Sequence, residues 1–445
     1  MFKRILIANR GEIAVRIIRA CKELGIESVA VYSKADSESL HRMMADHAVC
    51  IGEASSIDSY LYIPNIIAAA DLMGCDAIHP GYGFLSENQN FVEICEAHKI
   101  KFIGPSLSNM MNMSDKALAK KMASEAGVPV LPGSVGALKD TDEAAIVAES
   151  VGYPVIIKAS FGGGGRGMRI ARDREELEHF FEIAANEALT AFGNSDVYIE
   201  KFVEDPKHIE IQILGDGKGN AVYLFERDCS VQRKHQKLIE EAPCIVLSES
   251  ERKFICESAA DLAAMIKYEG AGTLEFLYDK GEFHFMEMNT RLQVEHPVTE
   301  MIADADLVRD QILIAAGEHP GLRQDDYKLH GHAIECRINA ENASQGFMPD
   351  PGKIEELILP GGPNVRVDTF VYQGYSVTPF YDSMIAKLIV WGKDREQAVA
   401  RMKRALSEFK VSGISTTVDF HLEIMDKEEW KTARYTTGFL ENVTK

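Results

Sequence analysis

EFHFMEMNTRLQVEHPVTE, residues 282–300, is the stretch that says most about how this chain folds. Its first eight residues alternate largely between apolar and polar side chains, which indicates a β-strand. If the chain stays extended beyond them, counting in twos puts these polar side chains on one face: Glu287, Asn289, Arg291, Gln293 and Glu295. Such a row predicts a ligand or a charged partner opposite it, although an exposed sheet face would show the same alternation.

A second strand offers a further carboxylate, Glu275, within the apolar stretch GTLEFLYD (272–279). A carboxylate in such a strand is costly to bury without a metal or a charged partner. Together with Glu287 and Asn289 it supplies the oxygen ligands that Mg²⁺ prefers. The sequence therefore predicts a metal site between two strands, with Arg291 facing an anion held near the metal.

The glycine-rich loop FGGGGRGM (161–168) lies between two predicted strands, 154–159 and 168–171. It fits G-x-G-x-x-G by letter, but a strand rather than a helix follows it and GK[ST] is missing, which argues against a dinucleotide fingerprint and a P-loop. A hairpin whose backbone N–H groups fold over phosphate oxygens fits better, with Lys158 adding a cation. An ordinary glycine-rich turn beside a solvated lysine is the alternative.

A basic cluster stands out in DCSVQRKHQKLIEEAP (228–243), because the chain as a whole has a net charge of −20. The cluster consists of Arg233, Lys234, His235 and Lys237. Side chains of this kind bind polyphosphate or bicarbonate. A solvated charged loop would give the same pattern.

The predicted secondary structure divides the chain into several units. Short apolar strands alternate with helices over about the first 110 residues, which predicts an open α/β sheet. GVPVLPG (127–133) indicates a connection, and residues 134–203 predict a small α+β unit of a size suited to a lid. From residue 204 onward, alternation predicts a largely antiparallel sheet. The helix predicted at 395–409 has a core-facing apolar stripe and no assigned chemistry.

Composition narrows the class of protein. The 445 residues are 46% hydrophobic, enough for more than one core. A net charge of −20 argues against nucleic acid as a partner, since that affinity depends on cations. The eight cysteines lie far apart without a CxxC pair, so we expect neither a zinc site nor disulfides, and a cytoplasmic location. We expect no signal peptide and no membrane span.

Together these motifs resemble those of the biotin carboxylase family within the ATP-grasp superfamily. The resemblance covers essentially the whole chain and is carried by these segments: ILIANRGEIAVR (5–16), HPGYGFLSEN (79–88), FIGP (102–105), KASFGGGGRGM (158–168), ERDCSVQRKHQKLIEEAP (226–243), MNTRLQVEHPVTE (288–300) and HAIECRINAEN (332–342). Two positions depart from the family pattern: Ser114 replaces a common glycine, and Val203 replaces a common leucine. The resemblance implies that residues 200–203 form a hinge that binds adenine through its backbone, so we expect adenine binding to survive the change at Val203.

The resemblance implies a mixed α/β and α+β multidomain architecture, the ATP-grasp fold. It has a Rossmann-like open sheet at the N-terminus, a small mobile lid and a C-terminal antiparallel-sheet domain. The expected divisions are an N-terminal domain at 1–113, a helical linker at 114–133, the lid at 134–203, the ATP-grasp core at 204–330 and the C-terminal domain at 331–445.

The resemblance also implies the ligands: ATP, Mg²⁺ or Mn²⁺, bicarbonate, and biotin carried by another protein. The residues expected to bind ATP are Lys116, Lys158, Gly164, Gly165, Glu200, Lys201, Val203, His208, His235, Glu275 and Glu287. The expected metal ligands are Glu275, Glu287 and Asn289. The expected bicarbonate site comprises Lys237, Arg291, Gln293, Val294 and Glu295, and Tyr82 and Arg337 are expected beside the biotin ring.

The implied chemistry assigns catalysis to Lys237, Arg291, Glu295 and Arg337. Glu295 deprotonates bicarbonate, which attacks the γ-phosphorus of ATP to form carboxyphosphate while the cations offset the developing charge. Carboxyphosphate then yields CO₂ and phosphate, the phosphate deprotonates biotin, and Arg337 stabilises the resulting enolate-like oxygen.

Partners and alternatives complete these expectations. The family works with a biotinyl carrier protein and carboxyltransferase subunits and forms homodimers. No AMKM-like biotinylation site and no carboxyltransferase region follow, so we expect a stand-alone subunit of acetyl-CoA carboxylase in fatty acid synthesis, with a propionyl-CoA or pyruvate system as alternatives. Another ATP-grasp ligase, joining carboxylates to amines, would not need RLQVEHP or Arg337. A degenerate nucleotide-binding regulator would lack at least one of the four catalytic residues.

Overall fold

The computed structural model describes residues 1–134, 136–159, 168–192 and 195–443. The N-terminal strands are β1 (Arg4–Ile7), β2 (Glu27–Ser33), β3 (His47–Gly52), β4 (Ala77–His79) and β5 (Lys101–Phe102). The helices are α1 (Gly11–Glu23), α2 (Leu40–Met44), α3 (Ile63–Met73), α4 (Gln89–Ala97) and α5 (Leu107–Ser114). The strands are parallel, in the order β3-β2-β1-β4-β5. The expected Rossmann-like open sheet is confirmed.

Helix α6 (Lys116–Glu125) connects this sheet to the next unit. The Asp115 side chain caps it by accepting hydrogen bonds from the backbone N–H groups of Ala117 and Leu118. A side-chain cap of this kind satisfies donors that have no intrahelical partner. It also fixes Lys116 as the first helical residue, at the edge of the large cavity described below.

The next unit is a three-stranded antiparallel sheet with two helices packed on it. Its elements are α7 (Thr141–Val151), β6 (Val155–Ala159), β7 (Arg169–Ala171), α8 (Arg174–Phe192) and β8 (Val197–Lys201), with the strands in the order β7-β6-β8. It has an apolar core of its own, in which Ile157, Leu177 and Ile199 are fully buried. Residues 160–167, most of the glycine-rich loop, lie outside the described residues.

An eight-stranded antiparallel sheet forms the body of the protein. Its strands are β9 (Lys207–Asp216), β10 (Ala221–Arg233), β11 (Gln236–Ala242), β12 (Glu269–Asp279), β13 (Glu282–Asn289), β14 (His332–Asn339), β18 (Val365–Thr369) and β19 (Met384–Gly392). Their order is β13-β12-β9-β10-β11-β14-β19-β18. Because β11 pairs with β14, the sheet continues without a break across the boundary expected at 330/331.

Helices α9 (Glu249–Met265), α10 (His296–Ala303) and α11 (Leu307–Ala315) pack against this sheet. The remaining elements are β15 (Glu341–Asn342), β16 (Met348–Pro349), β17 (Glu356–Ile358), α12 (Arg395–Glu408), β20 (Lys410–Ser412), α13 (Val418–Asp426), α14 (Glu428–Lys431) and α15 (Phe439–Val443). On α12, Met402 and Leu406 are buried in an apolar core, as the stripe predicts.

One prediction for the 282–300 stretch needs correction. The chain is extended only as far as Asn289, where β13 ends, and Glu295 instead immediately precedes α10. The strand cannot continue, because a turn and the proline-containing start of α10 follow it. Period-two counting was therefore wrong beyond Asn289, although all five polar side chains still line one cavity.

The mixed α/β and α+β architecture is confirmed by these sheets. All eight cysteines are free thiols, and Cys50 alone among them is exposed. Within the described ranges, every helix is too short or too polar to cross a bilayer.

Phe276 offers a test of the sheet core next to the cavity. Its ring is fully buried on β12, with ring centroids 6.1 Å from Phe283 and 5.9 Å from Phe285. Phe276→Ala should lower the free energy of unfolding by about 3–5 kcal/mol because it leaves a cavity between these rings. Urea unfolding followed by circular dichroism measures this loss.

Phe254 on α9 is the matched control, since its side chain is 51% exposed. Phe254→Ala should change the free energy of unfolding by no more than about 0.5 kcal/mol. Equal losses in the two variants would contradict the buried position of Phe276.

Candidate active site

A cavity of about 1950 Å³ lies between the N-terminal sheet, the small α+β unit and the eight-stranded sheet. It brings together these residues predicted from the sequence: Tyr82, Lys116, Lys158, Glu200, Lys201, Val203, His208, His235, Lys237, Glu275, Glu287, Asn289, Arg291, Gln293, Val294, Glu295 and Arg337. The predicted Gly164 and Gly165 lie outside the described residues. Segments far apart in sequence therefore converge on one space.

Lys237 on β11 stands at the centre of this cavity. Its Nζ lies 2.8 Å from Oε1 of Glu210, 3.0 Å from Oε1 of Glu275 and 2.7 Å from Oε1 of Glu295. Burial favours the neutral amine, but the three carboxylates outweigh it and raise the pKa of Lys237 well above its ordinary value. A permanent cation is thus surrounded by acids from three different elements.

Glu295 is held between two cations. Its Oε1 faces Lys237, and its Oε2 accepts a hydrogen bond of 2.9 Å from Nη2 of Arg337. Burial opposes ionisation, but Lys237, Arg337 and Arg227 outweigh it and hold the pKa of Glu295 well below its ordinary value. Glu295 is therefore a carboxylate that can accept a proton only when one of these cations is drawn away.

Arg337 on β14 is shared by two carboxylates. Its Nε donates to Oε1 of Glu240 at 2.7 Å, while its Nη2 contacts both Glu240 and Glu295. Behind it, Nε2 of His421 lies 2.7 Å from the Arg337 carbonyl oxygen. Both the guanidinium and the backbone of Arg337 are thus fixed, which limits how it can approach a substrate.

The fully buried Arg227 determines the orientation of the Gln293 side-chain amide, which lines the cavity. Its Nη2 donates to Oε1 of Gln293 at 2.6 Å, and Nε2 of Gln293 in turn donates to Oε1 of Glu275 at 2.7 Å. Because guanidinium donors demand an oxygen acceptor, this contact determines which way the amide points. Arg227 was not predicted from the sequence.

The predicted metal ligands meet across two neighbouring strands. Glu275 on β12 pairs in register with Glu287 on β13, and Nδ2 of Asn289 donates to Oε1 of Glu275 at 2.8 Å. Among the described residues Glu287 has no ion pair or hydrogen bond, and burial, followed by repulsion from Glu275, raises its pKa. A set of oxygen donors with an unpaired carboxylate fits a divalent cation such as Mg²⁺.

A second set of possible ligands lies beside these residues. His208, Glu210 and Glu275 present ligand atoms within 4.8 Å of one another, and His208 Nε2 lies 3.2 Å from Oε2 of Glu275. Here, however, the ammonium of Lys237 already compensates Glu210 and Glu275. Glu287 has no ion pair among the described residues, so a metal bound between Glu275 and Glu287 would supply the positive charge that Glu287 lacks.

At the small α+β unit, two of the predicted lysines, Lys158 and Lys201, are paired with protein groups. Glu200 lies 2.6 Å from Nζ of Lys158 and 3.0 Å from Nζ of Lys120. Nζ of Lys201 donates to the carbonyl oxygens of Gly152 and Tyr153, each at 2.9 Å. The side chains of Glu200 and Lys201 thus bind protein groups, and residues 200–203 line the cavity.

Arg291 and Tyr82 each have an acidic partner that the sequence did not predict. Arg291 donates through Nε to Oε2 of Glu87 at 2.9 Å, and the hydroxyl of Tyr82 donates to Oε1 of Glu12. His235 is exposed at the rim of the cavity. Glu12 lies on α1 and Glu87 lies between β4 and α4, so both partners come from the N-terminal unit.

One signal could have identified Glu210. In HIEIQILGD (208–216), polar side chains alternate with isoleucines, so His208, Glu210 and Gln212 share one face of an otherwise apolar strand. The structure buries that face completely. Arg227 and Glu240 carry no comparable signal, because the contacts that matter here, with Gln293 and Arg337, span 66 and 97 residues of sequence.

The parallel sheet, the small α+β unit and the antiparallel sheet around one polar cavity define the ATP-grasp class. Residues 1–110 match the family model for the biotin carboxylase N-terminal domain. Residues 115–322 match the ATP-binding domain of the carbamoyl-phosphate synthase L chain, and residues 335–442 match the biotin carboxylase C-terminal domain.

Similar proteins agree with these matches. The chain is 55% identical over 443 residues to Biotin carboxylase 1 of Bacillus subtilis (strain 168), covering 99% of this chain and 98% of that one. The crystal structure of a Campylobacter jejuni biotin carboxylase complex with β,γ-ATP is 53% identical, with a TM-score of 0.95 and 99% of each chain covered.

A second similar structure is the dimeric biotin carboxylase domain of Hydrogenobacter thermophilus 2-oxoglutarate carboxylase, with MgADP, ADP and bicarbonate. It is 50% identical, with a TM-score of 0.93, covering 99% of this chain and 98% of that one. The chain belongs to the biotin carboxylase family.

His421, behind Arg337, links this site to the pH dependence of stability. Burial lowers its pKa to about 4, below the value of 6.5 for a free imidazole. Between these values the unfolded chain binds the extra proton, so this contribution to stability is present above pH 6.5 and is lost as the pH falls towards 4. His421→Gln should therefore reduce the loss of unfolding free energy between about pH 7.5 and about pH 5 by roughly 2 kcal/mol.

Urea unfolding at the two pH values measures the effect. His179→Gln is the control, because His179 is exposed on α8 and its replacement should leave the pH dependence unchanged. If His421→Gln loses as much unfolding free energy between the two pH values as the wild type, His421 is not neutral in the folded protein.

Proposed function

We propose that this chain catalyses the ATP- and bicarbonate-dependent carboxylation of biotin carried on another protein. The observation that carries the proposal is the position of Glu295, a buried carboxylate that lies between Lys237 and Arg337 and lines one polar cavity. On the Lys237 side, the carboxylate and the ammonium together suit bicarbonate, an anion that must be bound and deprotonated. On the Arg337 side, the guanidinium suits the biotin ring, whose oxygen becomes negative during the reaction.

The first step is the activation of bicarbonate. Glu295 accepts the bicarbonate proton, the freed oxygen attacks the γ-phosphorus of ATP, and the bond to the bridging oxygen of ADP breaks, giving carboxyphosphate and ADP. Lys237 and Arg291 offset the charge that gathers on the transferred group. The backbone and side chains of residues 293–295 hold the bicarbonate during this step.

The ion pairs of Glu295 explain how it becomes a base only when substrate is present. With Lys237 and Arg337 in place its pKa is held well below the ordinary value. Bicarbonate and the ATP phosphates compete for Lys237, and biotin competes for Arg337. Each competitor removes positive charge from Glu295, so its affinity for a proton rises as the substrates assemble.

The second step uses Arg337. Carboxyphosphate breaks into CO₂ and phosphate, the phosphate takes the N1 proton of biotin, and N1 then bonds to the carbon of CO₂. The guanidinium of Arg337, fixed by Glu240, stabilises the negative ureido oxygen formed when N1 loses its proton. Tyr82 lines the same cavity and is assigned to the biotin ring.

The remaining assignments concern the nucleotide and its metal. We assign Mg²⁺ or Mn²⁺ to Glu275, Glu287 and Asn289, where the ion would neutralise phosphate charge. The nucleotide is assigned to Lys116, Lys158, Gly164, Gly165, Glu200, Lys201, Val203, His208 and His235. Closure of residues 134–203, proposed as a lid distinct from the domains 1–113, 204–330 and 331–445 and from the linker 114–133, would shield carboxyphosphate from water.

The partners follow from the reaction. Carboxybiotin must be delivered by a biotinyl carrier protein to a carboxyltransferase, and we propose acetyl-CoA as the acceptor, with malonyl-CoA for fatty acid synthesis as the product. The similar protein from Hydrogenobacter thermophilus belongs to a 2-oxoglutarate carboxylase, so the acceptor varies within the family. That domain is a dimer, and we propose a homodimer here as well. Eight free thiols fit a reducing cytoplasm.

ADP release by the purified protein tests the function directly. With MgATP, release should require bicarbonate and should increase when free biotin is added. Release that is indifferent to both would refute biotin carboxylation. An amine-dependent release without bicarbonate would instead indicate a carboxylate–amine ligase of the same superfamily.

Two substitutions should separate the two steps. Glu295→Gln should reduce bicarbonate-dependent ADP release by about a hundredfold or more, because the base is lost. Arg337→Ala should reduce biotin carboxylation by a similar factor but spare bicarbonate-dependent ADP release by comparison. Coupled assays of ADP and of ¹⁴C-carboxybiotin measure both activities.

Glu282→Gln and Arg309→Ala are the matched controls. Both side chains are exposed, away from the residues that line the cavity. Each should leave both activities within about twofold of the wild type. If Glu295→Gln and Arg337→Ala lose the two activities to the same extent, the assigned roles are wrong.

A further inference from the structure

Three successive residues, Gln293, Val294 and Glu295, are each held by a cation of their own. Arg227 binds the Gln293 side chain, and Lys237 and Arg337 bind the Glu295 side chain. The middle residue is apolar, so only its backbone can be held. Nζ of Lys387 donates to the Val294 carbonyl oxygen at 2.8 Å.

Lys387, which holds this carbonyl oxygen, is unusual because its side chain is fully buried on β19. Lysine is seldom fully buried unless it is paired with a charge or hydrogen-bonded groups. Its Nζ lies 3.1 Å from Oε1 of Glu12 on α1 and 5.9 Å from the centre of the Tyr82 ring. One ammonium thus joins the N-terminal sheet, the segment before α10 and the C-terminal strands.

The surroundings of Lys387 keep it charged. Burial would lower its pKa, but Glu12, Glu335 and Asp368 outweigh that effect and raise it. Arg366 acts in the opposite direction and lowers the pKa of Lys387, although Arg366 is itself paired with Asp368 and Glu300. An ammonium that stays protonated is a constant donor to the Val294 carbonyl.

The register of the sheet connects Lys387 to the reaction. β19 pairs with β14 so that Lys387 lies directly opposite Arg337. The Val294 carbonyl belongs to the same rigid peptide plane as the Glu295 N–H group. Holding that carbonyl therefore fixes the backbone from which the Glu295 side chain projects towards Lys237 and Arg337.

We propose that Lys387 is a positioning residue that sets the bicarbonate-binding conformation of residues 293–295. The inference rests on the proposed biotin carboxylation. Lys387 does not line the cavity and so touches no substrate itself. Without its hydrogen bond the 294–295 peptide could rotate, and the binding site for bicarbonate would lose its shape while the nucleotide contacts on the small α+β unit stayed in place.

Lys387→Met tests the proposal, since methionine keeps the length of the side chain and removes its charge and donors. The KM for bicarbonate in ADP release should rise about tenfold or more, as expected when a charged hydrogen bond is lost. The KM for MgATP should stay within about twofold of the wild type. Lys393→Met is the matched control, because Lys393 follows the same strand with its side chain 74% exposed, and both constants should be unchanged.

A second variant covers the case in which Lys387→Met folds poorly, because it leaves Glu12 without its cation. Adding Glu12→Gln removes that buried charge and should restore thermal stability. If Lys387 positions the segment, the KM for bicarbonate stays raised in the double variant although its stability has returned. Glu12→Gln alone should leave that KM within about threefold, because Lys387 still binds Val294.

The outcomes that overturn the proposal are distinct from those that refute the function. An unchanged KM for bicarbonate, an equal rise in both KM values, or a KM that recovers together with stability would each assign Lys387 a purely structural role. A wild-type protein whose ADP release ignores bicarbonate would instead refute the proposed carboxylation itself.

Discussion

The ammonium of Lys237, surrounded by the carboxylates of Glu210, Glu275 and Glu295, is the interaction on which the rest of the site depends. Three buried acids from separate elements could not approach one another without a cation at their centre. By compensating them, Lys237 allows Glu275 to stand beside Glu287 and Glu295 to stand beside Arg337. The proposed metal position and the two proposed substrate positions are thus arranged around one charge.

Much of the cavity lining could be predicted because polar side chains stand out against apolar strands. Glu275 in an apolar stretch and the row beginning at Glu287 both pointed to a metal between two strands, and the register of β12 and β13 places those carboxylates side by side. The Rossmann-like sheet was equally predictable, since strands and helices alternate clearly over the first 110 residues or so.

What the sequence could not supply were the partners brought together by long-range pairing. Glu240 faces Arg337 only because β11 and β14 are neighbours, although 97 residues separate the two in the chain. The backbone conformation beyond Asn289 could not be predicted either, because alternation in the sequence does not show where a strand ends and a turn begins. Lys387 is a further example: it stands in the apolar strand MIAKLIVWG, much as Glu275 stands in GTLEFLYD, but the sequence does not reveal its partners, because Glu12 and Val294 lie far away in the chain.

The continuous eight-stranded sheet has a consequence for how such enzymes are built and rearranged. The strand that carries Lys237 and the strand that carries Arg337 are bonded to each other directly, on either side of the family-model boundary between the ATP-binding and C-terminal regions. Recombination at that boundary would separate two strands that are hydrogen-bonded to each other and would leave each of them with an unpaired edge. Gene fusions and subunit exchanges among carboxylases should therefore keep the ATP-binding and C-terminal regions together as a single module. Rearrangement should occur only before or after that module.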